Sequence, residues 1–142
     1  MADTDMIIKR IDEMDEATGE FVNREFTDYG KANDVVLNYD EFTFVAQDSD
    51  GKIKGVITGR AYYDEVHIGD LIVDSNCRRS GLGRKLVETV ENTYKGKGYK
   101  VVTLTTFGFQ APEFYRKLGY EIEFVRENED PKLCKYFFRK DL

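Results

Sequence analysis

Apolar residues near the start of the chain form two successive patterns, the first typical of a strand and the second of a helix. Met6 to Ile11 has the composition of a short strand. Between Asp12 and Gly30, four apolar residues can share one helical stripe among charged neighbours: Ala17, Phe21, Phe26 and Tyr29. The pattern therefore predicts a strand-like segment followed by a helix that ends near Gly30.

Alternating and continuous apolar runs then predict three strands. Phe42 to Ala46 and Ile53 to Ile57 are separated by a polar connector that contains Asp50-Gly51, a strong hairpin signal. The second strand continues through Gly59 to Tyr63. A third strand, Glu65 to Val73, is predicted to return beside it.

A helical stripe and a buried strand follow. From Leu82 onward the apolar residues fall on one face of a helix that stops before Gly96: Leu82, Leu86, Val87, Val90 and Tyr94. Val101 to Thr105 then reads as a buried strand. The alternation of strand, helix and strand predicts that this helix packs on a sheet.

The last part of the chain adds a short helix and two strands. Pro112 suits the first turn of a helix, and Gly119 suits the residue just after its end. Tyr120 to Val125 and Leu133 to Arg139 are the final strands. The whole order predicts an α/β (α+β) fold with a mixed, mostly antiparallel central sheet flanked by helices.

Length and composition limit the class of protein. A chain of 142 residues fits a single domain, residues 1–142. No run approaches the ~20 apolar residues of a membrane span and no signal segment is visible, which favours a cytoplasmic protein without a membrane partner. The net charge of -6 argues against nucleic acid and favours a cationic amine as partner. Cys77 and Cys134 lack metal-site spacing, so no metal is expected.

The segment from Leu71 to Leu86 has the order of an anion site: apolar strand, polar connector, glycine-bearing basic turn and helix start. Free N–H groups at a helix N-terminus bind phosphate oxygens, and Gly81 and Gly83 let the main chain approach a ligand. The segment is not a P-loop, because Gly83 is followed by Arg84-Lys85-Leu86. It is not a dinucleotide fingerprint either, because Leu86 stands where the third glycine is needed.

Two motifs together resemble the GCN5-related N-acetyltransferase (GNAT) family. Arg78-x-x-Gly81-x-Gly83 is similar to the family's pyrophosphate turn, and the stretch from Ala111 to Tyr120 is similar to its second motif. The resemblance implies acetyl-CoA as acyl donor and transfer to a primary amine of a small molecule or peptide. It also implies the cofactor-binding residues Leu71, Ile72, Val73, Arg78, Arg79, Ser80, Gly81, Leu82, Gly83 and Arg84.

The resemblance also implies roles in catalysis. Tyr115 stands where the family has a tyrosine near the sulfur, which implies that it protonates the CoA thiolate. His67, eleven residues before Arg78, stands where some members carry a glutamate or histidine base, and its ordinary pKa of ~6.5 suits a base at neutral pH. Asp70, Glu65 and a water chain are the alternatives.

His67 shares a face with Gly69, Leu71 and Val73 unless a bulge intervenes. The main-chain amides of Leu71, Ile72 and Val73 are expected to stabilise the developing oxyanion, as the resemblance implies.

Gly108 departs from the family pattern, since many members have an asparagine there that binds the cofactor. Gln110 and Thr106 are candidate replacements. The acceptor pocket is expected to involve Thr27 to Tyr39 and the turn from Tyr62 to Glu65.

Two other functions remain open. The chain could be a non-catalytic acyl-CoA-binding module, in which the turn holds the cofactor while the acid and base are idle. It could also be an interaction protein or a homodimer, with a subunit surface formed by aromatic residues: Tyr62, Tyr63, Phe137 and Phe138.

Overall fold

The computed structural model describes residues 5–142, which form two compact units that divide after Leu37. In the first unit, helix α1 covers Glu16–Ala32. Asp15 caps it, because its carboxylate accepts a hydrogen bond from the Thr18 N–H at 2.8 Å. The predicted helix is confirmed. The strand expected over Met6 to Ile11 is wrong, because these residues have no strand partner among those described, and strand-type composition forms a strand only where another strand pairs with it.

The second unit contains six strands and two helices. The strands are β1 (Asp40–Gln47), β2 (Ile53–Tyr62), β3 (Glu65–Val73), β4 (Val101–Phe107), β5 (Glu121–Arg126) and β6 (Lys135–Asp141). The helices are α2 (Leu82–Tyr94) and α3 (Pro112–Lys117).

The strands form one mixed sheet in the order β1-β2-β3-β4-β6-β5. Only β3 and β4 pair in parallel; the other four pairs are antiparallel. The predicted mixed, mostly antiparallel sheet with flanking helices is therefore confirmed. No helix in residues 5–142 is long and apolar enough to cross a membrane.

The core fills one face of this sheet. Val66 and Ile68 of β3 and Val102 and Leu104 of β4 are buried together with the apolar side of α2. The predicted buried strand is confirmed at alternate residues of β4, including Val102 and Leu104, and the residues between them are partly exposed. Phe138 is 0% exposed. Phe138 therefore belongs to the core, and the prediction that it lies on a subunit surface is wrong.

Polar groups hold the last turn of α2 in place. The Glu91 carboxylate accepts a hydrogen bond from the Tyr120 hydroxyl at 2.8 Å and lies 3.1 Å from the Lys140 ammonium. Lys140 also donates to the Leu118 carbonyl at 2.9 Å, at the end of α3. One network thus joins α2, α3 and β6, with every member satisfied.

Strands β3 and β4 pair at only three positions and then diverge. Glu65, Val66 and His67 face Val101, Val102 and Thr103. Beyond these positions the backbone of β3 has no partner on the β4 side, although β2 still pairs with its other edge. We call the opening between residues 68–73 and residues 104–107 the β3–β4 wedge; His67 and Thr103 mark its closed end.

Candidate active site

The turn between β3 and α2 forms one wall at the open end of the wedge. A short 3-10 helix covers Ser75–Cys77, and the backbone then reverses through two residues with positive φ, Arg79 at 64° and Gly81 at 87°. Gly81 is the N-cap of α2 and supplies no side-chain cap. A Cβ at Gly81 would meet nothing within 4 Å, so glycine serves the backbone conformation there and leaves the approach open.

The backbone of this turn presents a run of unused donors. The first bond of α2 runs from the Lys85 N–H to the Gly81 carbonyl at 3.1 Å. None of the six N–H groups from Arg79 to Arg84 makes a hydrogen bond of normal length and angle to another residue among 5–142. Six successive free donors at the positive end of a helix dipole match the oxygens of a pyrophosphate.

Side chains of the turn mostly serve local structure. The Arg78 guanidinium donates to the Val73 carbonyl at 3.5 Å, and Ser80 donates to the Cys77 carbonyl. Gly83 was expected to allow close approach of a ligand, but a Cβ there would lie 3.2 Å from the Phe114 ring. Gly83 therefore allows close packing between α2 and α3.

The edge of β3 that faces the wedge supplies further backbone groups. Leu71, Ile72 and Val73 pair with Ile57, Val56 and Gly55 of β2 on one side only. Leu71 and Val73 pack against the core, whereas Ile72 is 61% exposed. The N–H groups that point into the wedge are not used by β4, as an oxyanion-binding edge requires.

Tyr115 of α3 is a core aromatic residue with a phenol group. The residue is 6% exposed, and its ring lies 5.0 Å from that of Phe114 and 6.0 Å from that of Phe138. Burial raises the pKa of Tyr115 to about 12. Its hydroxyl has no hydrogen-bond partner among the described residues and is not sealed from solvent. The phenol is therefore protonated at neutral pH.

His67 lies on the opposite face of the sheet from the core. The His67 Nδ1 atom is 2.9 Å from the Thr103 hydroxyl, and that hydroxyl in turn donates to the Glu65 carboxylate. Burial lowers the pKa of His67 below its ordinary value of 6.5, an effect that Glu65 opposes and Arg60 and Lys135 reinforce. The imidazole is therefore neutral at pH 7.

A bulge changes which β3 residues share a face. Ile57 pairs with Leu71 but Gly59 pairs with Ile68, so β3 contains one extra residue at this point. Val66 and Ile68 before the bulge, and Leu71 and Val73 after it, all pack in the core. The bulge therefore intervenes, and His67 does not share a face with Leu71 and Val73.

The alternative bases differ in their surroundings. Asp70 lies in the bulge with an exposed side chain, and its N–H donates to the Thr58 hydroxyl at 3.1 Å. Glu65 lies beside His67 and accepts hydrogen bonds from Thr103 and from the Tyr62 hydroxyl, the latter at 3.3 Å. Glu65 and His67 therefore belong to one cluster, whereas Asp70 is outside it.

A cavity of about 400 Å³ opens on the face that carries this cluster. Charged groups of both signs line it: Arg60, Glu65, Glu123 and Arg139. Arg139 is already paired with Asp141 at 2.8 Å and with Glu123 at 3.7 Å. Nearby, the Asn38 side chain bonds to both backbone groups of Tyr63, which places Asn38 against the turn predicted to shape the acceptor pocket.

Packing accounts for the glycine at position 108. A Cβ at Gly108 would lie 2.3 Å from the Pro131 carbonyl oxygen, and the Gly108 N–H donates to the Cys134 carbonyl at 2.8 Å. An asparagine cannot occupy this space. The Gln110 side-chain oxygen accepts from the Phe107 N–H at 2.9 Å, and the Thr106 hydroxyl accepts from the Ala111 N–H at 3.3 Å. These two side chains thus shape the turn before α3.

Sequence reasoning missed Thr103 as a member of the site. What places Thr103 in the site is the register of β4 against β3, because Thr103 is the residue directly paired with His67. A sequence does not encode that register in any local pattern, since the two strands are separated by α2.

The comparisons with known proteins identify the family. The model of the acetyltransferase (GNAT) family matches residues 8–120. This match covers most of the chain and includes both motifs. The chain therefore belongs to the GNAT acetyltransferase family, which uses acetyl-CoA.

Individual relatives agree with this assignment. The chain is 28% identical over 93 residues to a blasticidin-S acetyltransferase of Streptomyces morookaense, covering 65% of this chain and 68% of the relative. A crystal structure of an acetyltransferase from Bacillus cereus is 34% identical, with a TM-score of 0.76 over 94% of this chain and 98% of that one. A structure of aminoglycoside 6'-N-acetyltransferase complexed with coenzyme A shares the fold, at 18% identity and a TM-score of 0.63, over 96% of this chain and 97% of that chain.

Proposed function

We propose that the protein transfers the acetyl group of acetyl-CoA directly to a primary amine of a small molecule or peptide. The observation that carries this proposal is the run of six unused N–H groups from Arg79 to Arg84 at the open end of the wedge. Such a run fits the pyrophosphate of coenzyme A, and the wedge beyond it is proposed to hold the extended pantetheine arm and the thioester. Bound there, acetyl-CoA supplies an activated acetyl thioester.

His67 is proposed as the base. Its imidazole is neutral at pH 7, because burial lowers its pKa, and it stands at the closed end of the wedge. It accepts a proton from the acceptor ammonium group, so that the amine nitrogen is free to attack the acetyl carbon. Those amides of the stretch from Leu71 to Val73 that face the wedge rather than β2 stabilise the negative charge that develops on the carbonyl oxygen.

Tyr115 is proposed to serve the leaving group. Its pKa of about 12 exceeds that of an ordinary thiol by roughly 3 to 4 units, so full transfer of its proton to a settled thiolate is unfavourable by about 5 kcal/mol. Its hydroxyl therefore donates a hydrogen bond to the sulfur as negative charge forms there, and the proton passes to the sulfur in a transient, uphill step. The phenol regains its proton from solvent after the thiol departs.

The acceptor is proposed to be cationic. The net charge of -6 attracts ammonium groups to the protein, and Glu65 and Glu123 offer negative groups inside the cavity. The similarity to a blasticidin-S acetyltransferase makes amine-bearing antibiotics sensible members of a test panel.

Release of free thiol from acetyl-CoA tests this function. The panel contains blasticidin S, aminoglycosides, polyamines, amino acids and peptides, each assayed with and without protein. Amine-dependent thiol release with a matching acetylated product is the expected result. Tight binding of acetyl-CoA with no thiol release across the panel would instead identify a non-catalytic acyl-CoA-binding module.

A further inference from the structure

A hydroxyl group connects the two titratable side chains at the closed end of the wedge. Thr103 stands opposite His67 in the last pair that β3 and β4 form. Its oxygen is 2.9 Å from the His67 Nδ1 atom and also bonds to the Glu65 carboxylate. All three side chains are partly buried, so this contact is not one that solvent readily replaces.

The number of protons available to His67, Thr103 and Glu65 fixes which group donates in each of their hydrogen bonds. Ionised Glu65 can only accept, so the single hydroxyl proton of Thr103 points to the carboxylate. The Thr103 oxygen must then accept a proton from His67, which places the imidazole proton on Nδ1. The lone pair of the neutral ring therefore lies on Nε2.

Other groups hold these three hydrogen-bonded side chains in place. Tyr62 donates to the same Glu65 oxygen at 3.3 Å, which fixes the carboxylate from β2. Charged groups that face His67 come from three elements: Arg60 on β2, Glu65 on β3 and Lys135 on β6. The cavity adds Glu123 of β5 and Arg139 of β6, which pair with each other at 3.7 Å.

We propose that Thr103 is a positioning residue for acetyl transfer, holding His67 in the tautomer whose Nε2 atom is free to accept a proton from the acceptor amine. This inference rests on the proposed role of His67 as the base. Glu65 then acts through Thr103: as His67 gains a proton, the carboxylate stabilises the imidazolium through the intervening hydroxyl. Glu65 is thereby a second positioning residue.

The chain offers a clean measurement of the tautomer, because it contains one histidine. Nitrogen-15 NMR of the whole protein, at a pH where the ring is neutral, distinguishes a proton on Nδ1 from one on Nε2. Wild-type protein is expected to show the proton on Nδ1. Thr103→Val keeps the branched shape but removes the hydroxyl, and is expected to shift the ring toward the Nε2–H form; Thr103→Ser should restore the wild-type spectrum.

Thr105→Val is the matched control, since Thr105 lies two residues along β4 and lines the same cavity. Its spectrum should remain that of wild type. An Nε2–H tautomer in wild-type protein, or an unchanged tautomer in folded Thr103→Val, would overturn the inference whether or not the protein is an enzyme.

Kinetics separate this inference from the function on which it rests. Thr103→Val should lower kcat by roughly tenfold or more while the KM for acetyl-CoA stays constant, and Thr103→Ser should recover most of the rate. If His67→Ala leaves kcat unchanged, the proposed base is wrong although the tautomer result stands. If His67→Ala abolishes turnover but Thr103→Val changes the tautomer without changing kcat, the positioning role is wrong.

Discussion

Tyr115 shows at the scale of one residue how packing and chemistry combine. The aromatic rings around it hold the phenol in place, and the same burial raises its pKa to about 12. The proton therefore stays on the oxygen at neutral pH. Such a phenol is a weaker acid than the thiol that forms, so in the proposed reaction it serves the leaving sulfur mainly as a hydrogen-bond donor while the C–S bond breaks.

Tyr115→Phe should lower kcat by roughly 10- to 100-fold, because the leaving sulfur loses its proton donor. Affinity for acetyl-CoA, measured by calorimetry, should change little, since the ring and its packing remain. Tyr136→Phe is the control, as Tyr136 also stacks on Phe138 at 6.4 Å. Equal turnover of wild type and Tyr115→Phe would reduce Tyr115 to a packing role.

The lowered pKa of His67 predicts that the free energy of unfolding depends on pH. Its pKa is lowered in the folded protein, so the unfolded chain takes up the proton first as pH falls below 6.5. The stabilisation is complete above pH 6.5 and is lost as pH falls toward the folded pKa. Urea unfolding of wild type and His67→Gln at about pH 8 and about pH 5 should show wild type losing more stability. A parallel loss in both proteins would contradict the lowered pKa.

At the scale of secondary-structure elements, α2 owes its position to polar as well as apolar contacts. Leu86, Val87 and Val90 bury its apolar stripe, and Glu91 on the adjoining side bonds to Tyr120 and Lys140. The helix begins at the anion turn. Its fixed position on the sheet therefore fixes the direction of the free N–H groups.

Glu91→Gln should destabilise the protein by about 1 to 3 kcal/mol, because Lys140 loses its carboxylate partner in a partly buried site and keeps only the Leu118 carbonyl. Glu88→Gln, nearly one turn earlier, is the control: its contact with Arg84 is 4.0 Å long and exposed, and should contribute about 0 to 0.5 kcal/mol. Urea unfolding measures both. Similar losses for the two variants would show that the Glu91 network does not anchor α2.

Gly108 yields a prediction about a loop between elements. Gly108→Asn restores the residue common in the family but forces a Cβ to 2.3 Å from the Pro131 carbonyl. We expect a loss of about 2 kcal/mol or more in unfolding free energy and no gain in acetyl-CoA affinity. Unchanged stability together with tighter binding would show that the 131–133 segment yields, and that the missing asparagine matters.

The elements themselves were largely predictable. Glycine and proline signals at Asp50-Gly51, Pro112 and Gly119 mark turns because backbone geometry demands them, and apolar periodicity gave β3 and α2 their bounds. The β3 bulge and the three-residue pairing of β3 with β4 were not predictable. Both depend on long-range register, which no local pattern in the sequence records.

The candidate site likewise has a part that the sequence predicts and a part that it does not. The phosphate turn is a local feature, so a short motif predicts it, and the structure adds that six N–H groups are unused. The cluster of Glu65, His67 and Thr103 joins residues more than 30 positions apart, as the contact between His67 and Thr103 shows. Its assembly is a property of the sheet, and only the structure brings it into view.

At the scale of the whole molecule, the account joins a backbone anion site, a wedge between strands and two side-chain groups into one reaction path. In the proposed reaction the turn holds the donor, the free edge of β3 stabilises charge, and His67 and Tyr115 handle protons at opposite ends of the transfer. Each of these depends on acetyl-CoA lying on the turn from Arg79 to Arg84. Donor binding at that turn is therefore the central claim.

The most direct test is calorimetric titration of acetyl-CoA into wild type, Gly81→Glu and Gly96→Glu. Gly81 and Gly96 both have positive φ, 87° and 77°, and a Cβ at either would meet nothing within 4 Å, so the two variants bear similar backbone strain. Only Gly81→Glu places a carboxylate at the phosphate turn. The account predicts at least tenfold weaker binding for Gly81→Glu and wild-type affinity for Gly96→Glu, a difference of about 1.4 kcal/mol or more. Equal affinity for all three proteins would contradict it.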